Sequence, residues 1–295
     1  MAGIKSLYRR LPANVRASLR QWVPGPLRRW YAHHKTQVYL ISYPKCGRTW
    51  LRLMIGYALM RYFSLPEIES VLFLSPEFDW PKGVPRITVI HDDRPMLKTP
   101  EELEKSKERF RNKKVIFLVR DPRDVIVSLY YEKSMRSKLW GNNPYEAREA
   151  GFEGSLEEFI HSRVGGFATL IAFYNIWAEN QETPLDFLLV RYEDMKKDTA
   201  GELRRVLDFL GLDEISPEII QAAVEYASFE NMRAMEQQGK FQTGILKPAD
   251  PRSQETYKTR KGKVGGFAEE LSKEEVNRLN AQMRQTLASY FNYQA

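Results

Sequence analysis

Four short apolar runs, each followed by a stretch of helical character, limit what this chain can fold into. Val38-Tyr-Leu-Ile-Ser42, Ile87-Thr-Val-Ile90, Val115-Ile-Phe-Leu-Val119 and Phe187-Leu-Leu-Val190 are four to five residues long and rich in β-branched or aromatic side chains. They read as buried strands, being too short for buried helices. Helices are expected over about 49–62, from Pro122 onward, up to about Asn180 and over 200–210, the last stopping at Gly211. Thr99-Pro-Glu-Glu102 carries a capping signal with proline at the first helical position, and Ser155-Leu-Glu-Glu158 caps a helix running toward a break at Gly165-Gly166. Ser272-Lys-Glu-Glu275 caps a final helix with Val276, Leu279, Met283 and Leu287 on one face. Strand–helix alternation predicts an α/β three-layer sandwich, a central parallel sheet covered by helices on both sides.

The 295 residues suffice for one large α/β domain or two small ones. No apolar run approaches the roughly 20 residues that span a bilayer; the nearest, over 51–60, is interrupted by Arg52 and Gly56. The N-terminus lacks the apolar core of a signal peptide. Cys46 is the single cysteine, so no internal disulfide forms, which fits a reducing, cytoplasmic compartment. No acid precedes Glu67, and residues 1–66 carry 12 Lys or Arg. The remainder is net acidic, which argues against a dedicated nucleic-acid binder and leaves phosphate-bearing ligands or anionic lipid as partners of the basic segment. Residues 1–35 read as a basic appendage to a domain over 36–295. Ile4, Leu7, Leu11, Val15, Leu19 and Trp22 recur at helical spacing, interrupted by Pro12 and ended by Pro24-Gly-Pro26. That stripe suits either a helix packed on the domain or a peripheral, membrane-surface helix.

Tyr43-Pro-Lys-Cys-Gly-Arg-Thr-Trp50 joins the first strand to a helix, where phosphate-binding loops lie, because the N–H groups and dipole of a helix N-terminus favour an anion. Gly47 permits close backbone approach, Lys45 and Arg48 add charge, and the Thr49 hydroxyl can cap the helix or meet a phosphate oxygen. The G-x-x-x-x-G-K-[ST] pattern of nucleotide hydrolases is absent, and with it the Lys-Ser/Thr pair whose hydroxyl holds magnesium. An anion bound without a metal is the expectation. Cys46 is a small residue in a serine's place, or a thiol activated by the helix end. At the end of the third strand, Arg120 can bind a phosphate through two hydrogen bonds, and Ser128 lies two turns into the helix opened by Pro122. Arg260-Lys261-Gly262 follows a Gly- and Pro-rich stretch over 237–259 that reads as a mobile loop, and suits a lid closing over phosphate. Trp50, Tyr192 and Phe229 are flat apolar groups able to meet a planar ligand ring, or to fill a core.

Together, in order and spacing, these segments resemble the sulfotransferases that use 3′-phosphoadenosine 5′-phosphosulfate (PAPS). Pro44-Lys-Cys-Gly-Arg-Thr-Trp50 is similar to the family's Pro-Lys-Ser-Gly-Thr-Thr-Trp, with Cys46 for Ser and Arg48 for Thr. The stretch from Arg120 to Ser128 resembles its 3′-phosphate motif. Ser228, Phe229 and Met232 match its Thr-Ser-Phe-x-x-Met. Arg260-Lys-Gly262 matches the start of Arg-Lys-Gly-x-x-Gly-Asp-Trp, whose Asp-Trp is here Gly266-Phe267. The resemblance implies a P-loop-like phosphosulfate loop, PAPS as donor, adenosine 3′,5′-bisphosphate (PAP) as product and no metal. It also implies a small-molecule, lipid or glycan acceptor with a hydroxyl or amine, and Lys45 stabilising the leaving group. It puts the family's general base at His91, on the sheet edge where ligands bind. Asp92 and Asp93 follow directly, and either could orient His91 or be the base. The segments 73–83, 130–151 and 237–259, with Trp80, Tyr131, Trp140, Tyr145 and Phe241, are expected to line the acceptor pocket. A nucleotide or small-molecule kinase and a non-catalytic anion-binding protein are the competing readings; the oligomeric state is left open.

Overall fold

The computed structural model describes residues 25–76, 78–136, 151–242 and 244–293. The chain divides into two compact units, Met1–Thr36 and Gln37–Ala295. In the first, α1 (Gly25–Lys35) begins just beyond the Pro24 break. Trp30 stacks on His34 there, and Lys35 lies over the Tyr31 ring. The amphipathic stripe from Ile4 to Trp22 falls outside the described residues.

The second unit is built on four parallel strands, β1 (Val38–Ser42), β2 (Ile87–Ile90), β3 (Lys114–Val119) and β4 (Asp186–Arg191), in the order β2-β1-β3-β4. Each predicted strand is present, with its bounds moved by no more than one residue at either end. β1 is buried throughout and β3 from Val115 to Val119, so both sheet faces are covered, as the unbroken apolar runs require. One cover is α6 (Phe167–Glu179), whose Phe173, Tyr174 and Trp177 gather round Phe117 of β3. α2 (Arg48–Tyr62) follows β1 directly, with α8 (Thr199–Phe209) and α9 (Pro217–Tyr226) packed on it.

Between these lie α3 (Glu69–Leu72), α4 (Pro122–Tyr131), α5 (Leu156–Ile160), α7 (Tyr192–Lys197), α10 (Phe229–Gln237) and α11 (Lys273–Thr286). Asp121 caps α4, which runs on as a π turn over Glu132–Arg136. The capping box at Thr99 forms with both hydrogen bonds but launches only the 3-10 turn Pro100–Glu102. No apolar stripe follows it, and Lys107 is drawn instead into a buried ion pair with Asp92. The 237–259 stretch holds only the 3-10 turns Gly244–Leu246 and Gln254–Thr256 among its described residues.

Candidate active site

The C-terminal ends of β1, β2 and β3 open on one cavity of about 410 Å³. β1 ends at Ser42, and the loop beyond it turns through two left-handed residues, Lys45 (φ 73°) and Gly47 (φ 90°). Glycine is required at the second: a Cβ there would come within 2.6 Å of the Tyr192 ring. The non-glycine Lys45 holds a conformation that costs about 1–3 kcal/mol. Gly47 is the N-cap of α2, and no side chain caps that end, so the leading N–H groups are left to an anion.

β3 delivers Arg120. Its Nη2 donates to the Lys263 carbonyl at 2.8 Å and lies 3.3 Å from Asp124, and its guanidinium stacks over Tyr192 at 4.5 Å. Burial works against the charge, but Asp124, Tyr192 and Glu193 hold the pKa above the usual value. Its Nε is buried with no hydrogen-bond partner among the described residues. Asp124 also accepts from the backbone N–H groups of Gly265 and Phe267, at 2.9 and 3.0 Å, bolting the 260–267 segment to the start of α4. The motif glycine Gly262 (φ 60°) packs on Phe229, 2.7 Å from where a Cβ would stand. Beneath, Tyr174 Oη accepts from Arg120 N–H at 3.0 Å, donates to Arg120 C=O at 2.9 Å and meets Cys46 Sγ at 3.3 Å. One buried hydroxyl thus pins both loops.

His91 ends β2. Its Nδ1 donates to the Ser42 carbonyl at 2.8 Å, which leaves the lone pair on Nε2, where Arg48 Nη2 donates at 2.6 Å. Burial first, then the positive charges of Arg48, Lys258 and Arg52, hold its pKa well below 6.5 despite the opposing Ser42 bond. Asp92 is engaged elsewhere, buried against Lys107 at 2.8 Å and paired with Arg109. Asp93 pairs with Lys98 and accepts from the Glu104 N–H. Neither acid is bonded to His91, whose orienting partner is the Ser42 carbonyl. Lys45 Nζ lies 2.6 Å from Glu132, which also holds Lys258 at 3.3 Å.

Of the expected site residues, Lys45, Gly47, Arg48, Thr49, Trp50, His91, Arg120, Ser128, Tyr192, Phe229, Met232, Arg260, Lys261 and Gly262 all line this cavity. Two correct the expectation. The Cys46 thiol faces the core beside Tyr174, and burial pushes its pKa up to about 12, which also removes the activated-thiol reading. The Ser228 hydroxyl caps α10 by accepting from Asn231 N–H. Arg260 and Lys261 reach the cavity with their cations paired to Glu270. Burial acts against the Glu270 charge, but Lys261, Arg260 and Tyr131 lower its pKa to about 2. The aromatic acceptor wall is also corrected. Trp80 and Phe241 are buried, against Phe78 and Phe73 respectively, Tyr131 is bonded to Glu270, and none of the three lines the cavity. Trp140 and Tyr145 fall outside the described residues. Glu132 and Lys258 come from the expected 130–151 and 237–259 segments, whereas Asp124, Tyr174 and Arg52 belong to no expected site residue or segment. Asp124, four residues after Arg120 on the first turn of α4, was the one with a readable signal.

The family model of the sulfotransferase domain matches residues 35–291. Cytosolic sulfotransferase 12 of Arabidopsis thaliana is 27% identical over 266 residues, 82% of this chain and 76% of that protein. Flavonol 3-sulfotransferase of Flaveria bidentis is 27% identical over 277 residues, 84% of this chain and 80% of its own length. Among solved structures, a mouse sulfotransferase complexed with PAP is 19% identical and shares the fold with a TM-score of 0.55, covering 85% of this chain and 84% of that one.

Proposed function

The chain belongs to the sulfotransferase domain family and is an enzyme of sulfuryl transfer, and from that premise we propose that its donor is PAPS, its acceptor group a hydroxyl, its base His91 and its leaving-group stabiliser Lys45. The observation that carries the reading is convergence on one cavity: the uncapped α2 N-terminus with Lys45, together with Arg120, Ser128 and the Arg260-Lys-Gly262 loop. The residues fit a nucleotide anionic at both ends. The Gly47 turn leaves backbone amides for one anionic group, and Arg120 offers a buried Nε–H with no partner among the described residues for the second. Tyr192 and Phe229, each laid on a loop glycine, are suited to the base. The mouse relative solved with PAP is in keeping with this choice. A cytoplasmic setting is part of the same proposal, in line with the cytosolic Arabidopsis relative.

The bound donor supplies an activated sulfuryl group, whose bond to the bisphosphate breaks as the acceptor oxygen bonds to sulfur. Everything else falls to the chain. His91 takes the hydroxyl proton at Nε2, since Nδ1–H is committed to Ser42. Its depressed basicity keeps it unprotonated and ready at neutral pH. Arg48 covers that lone pair. An oxyanion offers the guanidinium a full opposite charge and two acceptor oxygens, which the neutral imidazole does not, so Arg48 turns to the sulfate end and uncovers Nε2 when the donor site fills. Lys45 exchanges Glu132 for the bridging oxygen, where charge grows as the bond breaks. Asp92 and Asp93 are held by Lys107, Arg109 and Lys98, which favours the imidazole as base.

Labelled-donor transfer with His91→Ala tests the assignment: activity is expected to fall by about 10²–10⁴-fold while PAP still raises the unfolding temperature. Full transfer by the variant would falsify the role of His91. A larger rise with ATP and Mg²⁺ than with PAP would favour the kinase reading instead.

A further inference from the structure

Ten Lys or Arg line the cavity against two acids, Asp124 and Glu132. The donor reading uses Lys45, Arg48, Arg120, Arg260 and Lys261. Arg52 is outside that set. It stands one turn beyond Arg48 on the same face of α2, and like charges at that spacing repel each other. Its Nη2 donates to the Phe73 carbonyl and its guanidinium lies 5.7 Å from the Phe73 ring centre. Its Nε is buried with no hydrogen-bond partner, and no carboxylate pairs with it, among the described residues. Burial lowers its pKa to about 10. A guanidinium held this way, beside a second arginine and facing a cavity, is uncompensated charge that an anion would neutralise.

The position says which ligand brings that anion. Arg52 lies on the His91 side, close enough to act on the imidazole electrostatically, as does Lys258. The same cavity is also lined by the apolar Met96 and Ile245. We infer that the acceptor is a hydroxyl compound carrying its own anionic group, a carboxylate or a phosphate, which Arg52 binds while the hydroxyl faces His91 Nε2. Protonated amines are disfavoured by the same charges. The inference rests on the proposed sulfuryl transfer and adds the acceptor class to it.

The test uses the full chain with three matched acceptors: 3-hydroxybenzoate, its methyl ester, and 3-hydroxyphenyl phosphate. Label transfer is measured, together with the unfolding temperature of the PAP-saturated protein. At least one acid is expected to exceed the ester by about tenfold or more in kcat/KM, the scale of one charged hydrogen-bonded contact. In Arg52→Gln that ratio should collapse toward one, and Arg52→Lys should retain most of it. The winning acid distinguishes carboxylate from phosphate. The inference is overturned if the ester matches or exceeds both acids, if the ratio survives Arg52→Gln, or if neither acid is sulfated or stabilises the PAP-bound protein. Failure of PAP itself to stabilise the chain would instead sink the donor reading.

Discussion

Two neighbours in sequence, His91 and Asp92, have opposite environments. The imidazole lies among Arg48, Arg52 and Lys258 at the cavity, and the carboxylate is buried between Lys107 and Arg109. Because those cations and burial disfavour the imidazolium, His91 stays neutral as the pH falls through 6.5, where an ordinary histidine would take a proton. The acid limb of kcat/KM is therefore expected well below 6.5; a limb centred at 6.5 or above would show that His91 is not the titrating base. Asp92→Asn leaves the Lys107 ammonium buried without its counter-charge, a loss of about 3–5 kcal/mol by chemical denaturation. Unchanged stability would mean that the pair is relaxed in solution. The sequence singled out all three residues 91–93 but could not separate base from buried ion pair. The partners that decide it, Lys107 and Ser42, come from distant segments.

At the scale of elements, the proposed donor site is two strand–loop–helix units joined by α6 and by the 260–267 loop. Tyr174 satisfies both backbone groups of Arg120 and the Cys46 thiol at once. Tyr174→Phe removes a buried partner from an N–H and a C=O, and should cost about 1–3 kcal/mol and weaken PAP binding measured by calorimetry. Unaltered PAP affinity would show that the loops hold their geometry without it. The strands were legible because runs buried on both faces are apolar from end to end. α11 was legible from cap and stripe together, and α4 from the proline that opens it. The capping box at Thr99 misled because it is a local signal, and no apolar face follows to extend its turn. Ser216-Pro217-Glu218 carries a readable start for α9. The ion pairs that hold the 260–267 loop were hidden for a different reason. Glu269 and Glu270 read as ordinary surface acids, and only the fold brings them to Lys261 and Arg260.

Across the whole molecule, charge suits the proposed anionic substrate pair: a chain of formal charge +7 collects ten cations around one opening and keeps the two acids there tied to Arg120, Lys45 and Lys258. The cavity's place, at the C-terminal edge of a parallel sheet, follows from topology alone. What the sequence could not give was the division of that charge between donor and acceptor, because cations near a phosphate loop look alike until their partners are seen. Everything proposed requires one nucleotide to be held at both ends. A crystal structure with PAP tests this most directly. The 5′-phosphate should lie on the Gly47–Thr49 amides with Lys45 Nζ, and the 3′-phosphate on Arg120 and Ser128, with Lys45 released from Glu132. PAP bound elsewhere, or touching one of the two loops with the other still closed on its own side chains, would contradict the account.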